Sequence, residues 1–267
     1  MKTIAIFGSG LSAAYVYYAA KNQSYDCEFF TDKPLDTQPD LGHVLLRWVP
    51  PTVEAKPYPI WFFSLGSIFK YLERMQRPET DLKRTAFPKN GRTELQAFNP
   101  NFVLKEMLPE EAKVTYGKFS DEEIALLAKK YDWSFVTFPL QQSKHQDRLA
   151  FYWSYVLHDQ SLMLPNMAIY NATDQFPWTR FTQYWNTLTW EFSHIEYPAG
   201  KEDSLPPRPN SWAEPKRIAD VAPNLPEFYS PYEKVSLVGR WARWNKSVLA
   251  HDAYMQASTI LKEINND

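Results

Sequence analysis

The first thirty-two residues constrain the fold more than any other stretch. Thr3–Phe7 is a short apolar run, Gly8-Ser9-Gly10-Leu11-Ser12-Ala13 is a G-x-G-x-x-A turn, and Leu11–Lys21 reads as a helix. A second apolar strand, Cys27–Thr31, follows and ends at Asp32. Gly8 to Asp32 spans 32 − 8 = 24 positions, close to the ~20 expected between a glycine turn and a ribose-binding acid in a βαβ dinucleotide unit. A secretory leader is the competing reading of residues 1–20, with a lysine, an apolar stretch and then small residues. Two glycines interrupt its apolar core, and strand, turn, helix, strand and acid in order account for more of the residues.

The chemistry explains the spacing. Gly8 permits the tight turn, Gly10 lets the backbone approach a pyrophosphate, and Ala13 keeps helix and strand close. Free N–H groups at the helix start attract the anion. An ordinary βαβ unit with a glycine turn is the plainer alternative. Glycine is scarce, 8 in 267 residues, so each one is expected to have a backbone reason.

After Asp32 the chain departs from a simple succession of βα units. Residues 33–60 are rich in proline and turn formers. Helices are expected over Ser67–Arg77, over 101–108 and over Asp121–Lys130, the last capped by a Ser120/Glu123 box. KVTY at 113–116 reads as a strand, as does Ala168–Tyr170, and residues 199–226 read as a long polar, Pro-rich loop. At the carboxyl end, Val235–Val238 is a strand, Gly239-Arg240 ends it, and Ser247–Ile260 is a helix.

Order and motifs together resemble the flavoprotein superfamily that includes amine oxidases, protoporphyrinogen oxidase and UDP-galactopyranose mutase. Three segments carry the likeness: the N-terminal βαβ, YDWSFVTFP at 131–139, and LVGRWARWNKSVLAHDAY at 237–254. The resemblance implies an α/β fold with a discontinuous Rossmann-like FAD-binding domain (1–45, 95–140 and 232–267) and a small inserted α+β substrate domain (46–94 and 141–231). It implies FAD as cofactor. Gly8, Ser9, Gly10, Leu11 and Ser12 would cradle the pyrophosphate, and Asp32 would accept from the ribose with Thr31 and Lys33 beside the adenine. Gly42 and His43 would approach the ribityl chain or ring, and Val114 would meet adenine. Gly239 and Arg240 would contact the pyrophosphate or ribityl chain, and the N–H groups near Val248 and Leu249 would face the ring. The usual Gly-Gly pair after the ribose acid is missing, with only Gly42 present.

The implied activity is oxidation of a carbon next to an amine or hydroxyl, with His43 the first candidate for the base. A redox-neutral flavin enzyme acting on a nucleotide or sugar nucleotide is the alternative, and a non-catalytic nucleotide-binding scaffold is another. Arg47 with Trp48, and Arg180 with Trp178, pair a cation with a ring and are candidates for binding a phosphate- or carboxylate-bearing substrate. Structural readings compete at both, for Arg180 an ion pair with Asp174.

Several classes fall away. The net charge of −2 supplies no basic field for general nucleic-acid binding. One cysteine, Cys27, excludes an internal disulfide framework and a Cys-rich zinc site. His194-Ile195-Glu196 lacks the downstream Cys-x-x-Cys of a zinc deaminase. No apolar run reads as a membrane span, and a cytoplasmic location is expected.

Overall fold

The computed structural model describes residues 2–33, 35, 46–74, 88, 91–108, 111–140, 149–158, 166–185, 187–192, 208, 211–221, 229–243 and 248–266. β1 (Thr3–Phe7) has four of its five residues buried, α1 spans Leu11–Lys21, and β2 spans Asp26–Thr31. A strand buried on both faces reads as a continuous apolar run rather than an alternating one, as TIAIF does. α1 is Ala-rich and buries Ala13, Ala14, Tyr15, Val16, Ala19 and Ala20, because it packs between the sheet and other helices.

β3 (Tyr58–Leu65), α2 (Ile68–Arg74), β4 (Arg92–Ala97) and α3 (Pro100–Met107) come next. Asn99 caps α3 by accepting from the N–H groups of Asn101 and Phe102, and Pro100 stands at the first turn, where its missing N–H costs nothing. β5 (Lys113–Tyr116), α4 (Asp121–Ala128) and β6 (Trp133–Val136) follow. The Ser120/Glu123 capping box on α4 is complete, a cap worth about 1 kcal/mol.

β7 (Leu149–His158), β8 (Met167–Asn171), β9 (Trp178–Tyr184), β10 (Thr187–Phe192) and β11 (Glu214–Val221) form a long run of strands. β12 (Val235–Leu237) and α5 (Asp252–Asn266) close the chain.

These strands make two sheets. The first has five strands in the order β12-β6-β1-β2-β5, with every neighbouring pair parallel. Counted along the chain from the β5 edge this is 3-2-1-4-5, the doubly wound order, and its direction reverses between β1 and β6. The fold is α/β with a Rossmann-like sheet. α1, α3 and α5 pack on one face around Tyr15, Phe29, Phe135 and Leu261. α4 packs on the other, around Phe7, Phe30, Ile124 and Val136. The second sheet has seven strands in the order β11-β7-β10-β9-β8-β3-β4. It is antiparallel except where β3 runs parallel to β8.

The structure corrects several expectations from sequence. The stretch 199–226 is not one long loop, because it holds β11; Pro215 is tolerated there since β11 is an edge strand. β3, β4, β7, β9 and β10 have no counterpart among the strands expected from the sequence. The β9–β10 connection carries Trp185 at φ +51° rather than the Asn-Gly or Asp-Gly that marks a tight hairpin. α5 spans Asp252–Asn266, and the described residues just before it, 248–251, are not helical; the side chain of Asp252 accepts from the Leu249 N–H at 2.7 Å. No helix among the described residues is long and apolar enough to cross a membrane.

Candidate cofactor site

The carboxyl-terminal edge of the parallel sheet is laced together by main-chain hydrogen bonds. The Gly8 N–H donates to Phe30 O at 2.9 Å, tying the glycine turn to the end of β2. Thr137 donates to Phe7 O through both its N–H and its hydroxyl, each at 3.0 Å. The Val238 N–H donates to Val136 O at 3.0 Å, and the Gly117 N–H to Thr31 O at 2.9 Å. The ends of β1, β2, β5, β6 and β12 therefore converge on the switch point, where open parallel sheets bind their ligands.

Three glycines stand at this edge for different reasons. Gly8 has φ +124°, and a Cβ there would overlap Thr137 Oγ1. Gly239 has φ +85°, and a Cβ would come 2.6 Å from Ser12 Oγ at the start of α1. Both are glycine because the protein itself leaves no room. Gly10 is different. Its φ is −81°, ordinary for any residue, and a Cβ would meet nothing within 4 Å among the described residues. Neither backbone nor neighbours require glycine at that position.

Gly10 is also the N-cap of α1, and no side chain caps that end. The first N–H groups of a helix lack intrahelical partners and carry the positive end of its dipole. At the tip of β2, the Lys33 N–H donates to Thr31 Oγ1 at 3.1 Å and the Thr31 hydroxyl donates to Lys33 O at 3.2 Å. That small turn leaves Asp32 exposed. Val114 is half-buried in β5, opposite Phe29.

The carboxyl-terminal segment is held from α5. The Gly239 N–H points to Gln256 Oε1 at 3.4 Å, and Arg240 Nε donates to Val248 O at 3.2 Å. The Leu249 N–H is engaged by Asp252, so that end of α5 is already capped by a carboxylate. Gly42 and His43 lie outside the described residues, as do Trp244, His194 and Glu196.

The two cation-and-ring candidates have separate fates. Trp48 packs against Tyr15, His251 and Tyr254, with ring centroids 6.1, 5.8 and 5.4 Å away. Its ring belongs to the helical core, and Arg47 beside it is exposed. In β9 the register shifts opposite Glu191/Phe192. Trp178 thereby joins the face of Tyr155 and Trp190 and packs with them, while Arg180 stays on the face of Thr182. The structure does not bring the indole and the guanidinium together. Nor does Asp174 pair with Arg180; its carboxylate is 2.8 Å from Lys70 Nζ.

Cys27 is buried, and burial pushes its thiol up to about 12, so it is a small core residue rather than a nucleophile. Among the described residues no group of three His, Cys, Asp or Glu side chains is placed to hold a metal ion. Thr137 was missed as a site residue from sequence. The signal for it was Gly8, whose close approach required a short side chain at the end of a neighbouring strand.

No protein-family model matches the chain, and no curated protein matches it in sequence. Solved structures match it in fold. The peptidyl tryptophan dihydroxylase QhpG aligns with a TM-score of 0.53 at 8% identity, over 98% of this chain and 67% of the other. CtdE in complex with FAD and a substrate aligns with a TM-score of 0.52 at 8% identity, over 97% and 80%. Glycine oxidase from Bacillus cereus aligns with a TM-score of 0.51 at 7% identity, over 100% and 95%. At such identities the likeness is one of fold. It extends over both sheets, and the neighbours include flavin enzymes.

Proposed function

We propose that this chain binds FAD along the carboxyl-terminal edge of its parallel sheet. It acts as an oxidoreductase on a carbon adjacent to an amine or hydroxyl of a small anionic or ring-bearing substrate. One observation carries the reading: Gly10 has neither an unusual φ nor, among the described residues, a neighbour to avoid, and it stands at a helix N-terminus that no side chain caps. A glycine that the protein does not need is explained by a ligand that does. The doubly wound strand order and the likeness to a structure holding FAD support the choice of ligand.

FAD, when bound, supplies the hydride acceptance. This chain's residues bind and orient it. The Gly8–Ser12 turn and the first N–H groups of α1 hold the pyrophosphate, and Asp32 accepts from the ribose hydroxyls. Gly239 brings a second stretch of main chain against Ser12. The five-stranded sheet and its helices serve the cofactor, together with the stretch from Leu46 to Ala55 that packs in the same core. The seven-stranded sheet, with the whole of β4, serves the substrate.

The test is direct. The purified protein is expected to be yellow, with FAD identified by mass after denaturation. Colourless protein that takes up no added FAD would overturn the reading.

A further inference from the structure

The outer strand of the parallel sheet ends in an aromatic ring that the fold does not use. On the face of β2 and β5 that α1 covers, Phe29 stands opposite Val114 and Thr31 opposite Tyr116. Phe29 is fully buried, and Val114 packs against the same core. Tyr116, the last residue of β5, is 60% exposed. Among the described residues no ring stacks on it and no group bonds its hydroxyl.

Neighbouring rings have a different fate. Phe119 lies edge-on to Phe7 and Phe30, with ring centroids 6.1 and 5.5 Å away. Tyr131 also meets Phe30 edge-on and donates its hydroxyl to Glu28 at 2.6 Å. The core beside β5 takes up these two and leaves Tyr116 at the surface. A single exposed tyrosine is ordinary; the place of this one is what gives it meaning. The Gly117 N–H donates to Thr31 O at 2.9 Å, which fixes Tyr116 beside Thr31, the residue before the exposed Asp32. β1, β2 and β5 are successive strands of the sheet. Their carboxyl ends present, in order, the glycine turn, Asp32 and Tyr116.

We propose that Tyr116 is the platform on which the adenine of the dinucleotide stacks. The proposal rests on the FAD reading and deepens it. Adenosine diphosphate repeats the order of the sheet in its own covalent structure: pyrophosphate, ribose, base. With the pyrophosphate at Gly8–Ser12 and the ribose at Asp32, the base falls to the β5 side. Val114, the residue expected from the sequence to meet adenine, is two residues back on the same face and half-buried. Tyr116 is the side chain of that face that reaches the tip. Stacking one base on an aromatic side chain is worth roughly 5–150-fold in affinity.

Protein stripped of flavin is titrated with FAD, with ADP and with FMN. ADP carries the base without the flavin ring, and FMN the ring without the base. Tyr116→Leu is expected to weaken FAD and ADP by a common factor within that range and to leave FMN unchanged. Tyr116→Phe keeps the ring and is expected to bind all three ligands as the parent does. Both variants should melt with the parent, because the side chain is exposed. Unchanged FAD and ADP affinity in Tyr116→Leu overturns the proposal. So does an equal loss for FMN, or a lowered melting temperature accompanying the loss, since either makes the effect structural. A loss in Tyr116→Phe equal to that in Tyr116→Leu overturns it as well, by assigning the contact to the hydroxyl. If FMN is held too weakly to measure, FAD and ADP compared between the two variants decide alone. Protein that binds ADP through Tyr116 but takes up no FAD defeats the FAD reading alone; protein that holds FAD indifferently to Tyr116→Leu defeats this proposal alone.

Discussion

The two sheets meet the problem of binding with different materials. At the edge of the parallel sheet the contacts are main-chain: the Gly8 turn, the ends of β6 and β12, and the free N–H groups of α1. The seven-stranded sheet presents side chains instead, with an aromatic core of Phe62, Tyr71 and Tyr170 beside the buried Ser154, Thr182 and Thr189. A main-chain site presents the same donors whatever the neighbouring side chains are, so it suits an invariant group such as a pyrophosphate. A side-chain site changes with every substitution and suits a ligand that differs between proteins of one fold.

The contrast between Gly8 and Gly10 is the sharpest way to break this picture. Gly8→Val places a β-branched residue at φ +124°, with its Cβ on Thr137 Oγ1. Strain and overlap together are expected to cost about 3–5 kcal/mol, a large part of a typical domain's stability. Gly10→Val keeps an ordinary φ in open space, and its loss of stability is expected to stay within about 1 kcal/mol, the difference between a Gly and a Val N-cap. It should nevertheless abolish FAD retention. Denaturant melts and flavin content, measured on both variants, separate the two roles. Equal destabilisation of the two, or full flavin loading of Gly10→Val, would remove the distinction between a glycine the fold needs and one the ligand needs.

Asp32→Ala is the next largest effect. No described residue takes up this exposed carboxylate, so ligand-free stability should not move. FAD affinity is expected to fall by about 1.5–3 kcal/mol, the worth of a charged hydrogen bond, or roughly 10–150-fold by titration. Unchanged affinity would remove Asp32 from the site while leaving the glycine turn in it.

The difference between the two sheets also governs what could be read from the sequence. The Gly8–Ala13 turn, bracketed by Thr3–Phe7 and Cys27–Thr31, is local and continuous, and its residues carry the geometry themselves. KVTY at 113–116 and the Ser120/Glu123 box are local in the same way, and all appear where expected. The seven-stranded sheet is assembled from pairings that no single window contains. β3 pairs with β8 across about a hundred residues, and the β9–β10 hairpin turns at Trp185 without a glycine. Arg180 and Trp178 look like partners at i, i+2 until the register shift turns them to opposite faces. That Ser154 and Thr182 share a face with Thr189 left no trace in the sequence, because β7 and β9 are neighbours only through β10.

Asp26 offers the smallest effect and a control on Asp32, since the two acids stand at opposite ends of β2. The Asp26 carboxylate is 2.8 Å from Lys113 Nζ. The hydrogen bond from Lys113 holds its pKa below the usual carboxylate value, and the lysine charge adds to that. A carboxyl whose folded pKa is depressed contributes stability above its unfolded value, near about 4, and loses it as pH falls through the folded value. Asp26→Asn should therefore melt slightly below the parent at neutral pH, and the gap should close on acidification. Lys113 is largely exposed, so salt should shrink the gap as well. FAD affinity should not change, because this end of the strand faces away from the glycine turn. A loss of affinity matching that of Asp32→Ala would mean that the net charge on β2, and not the position of one carboxylate at its tip, governs binding.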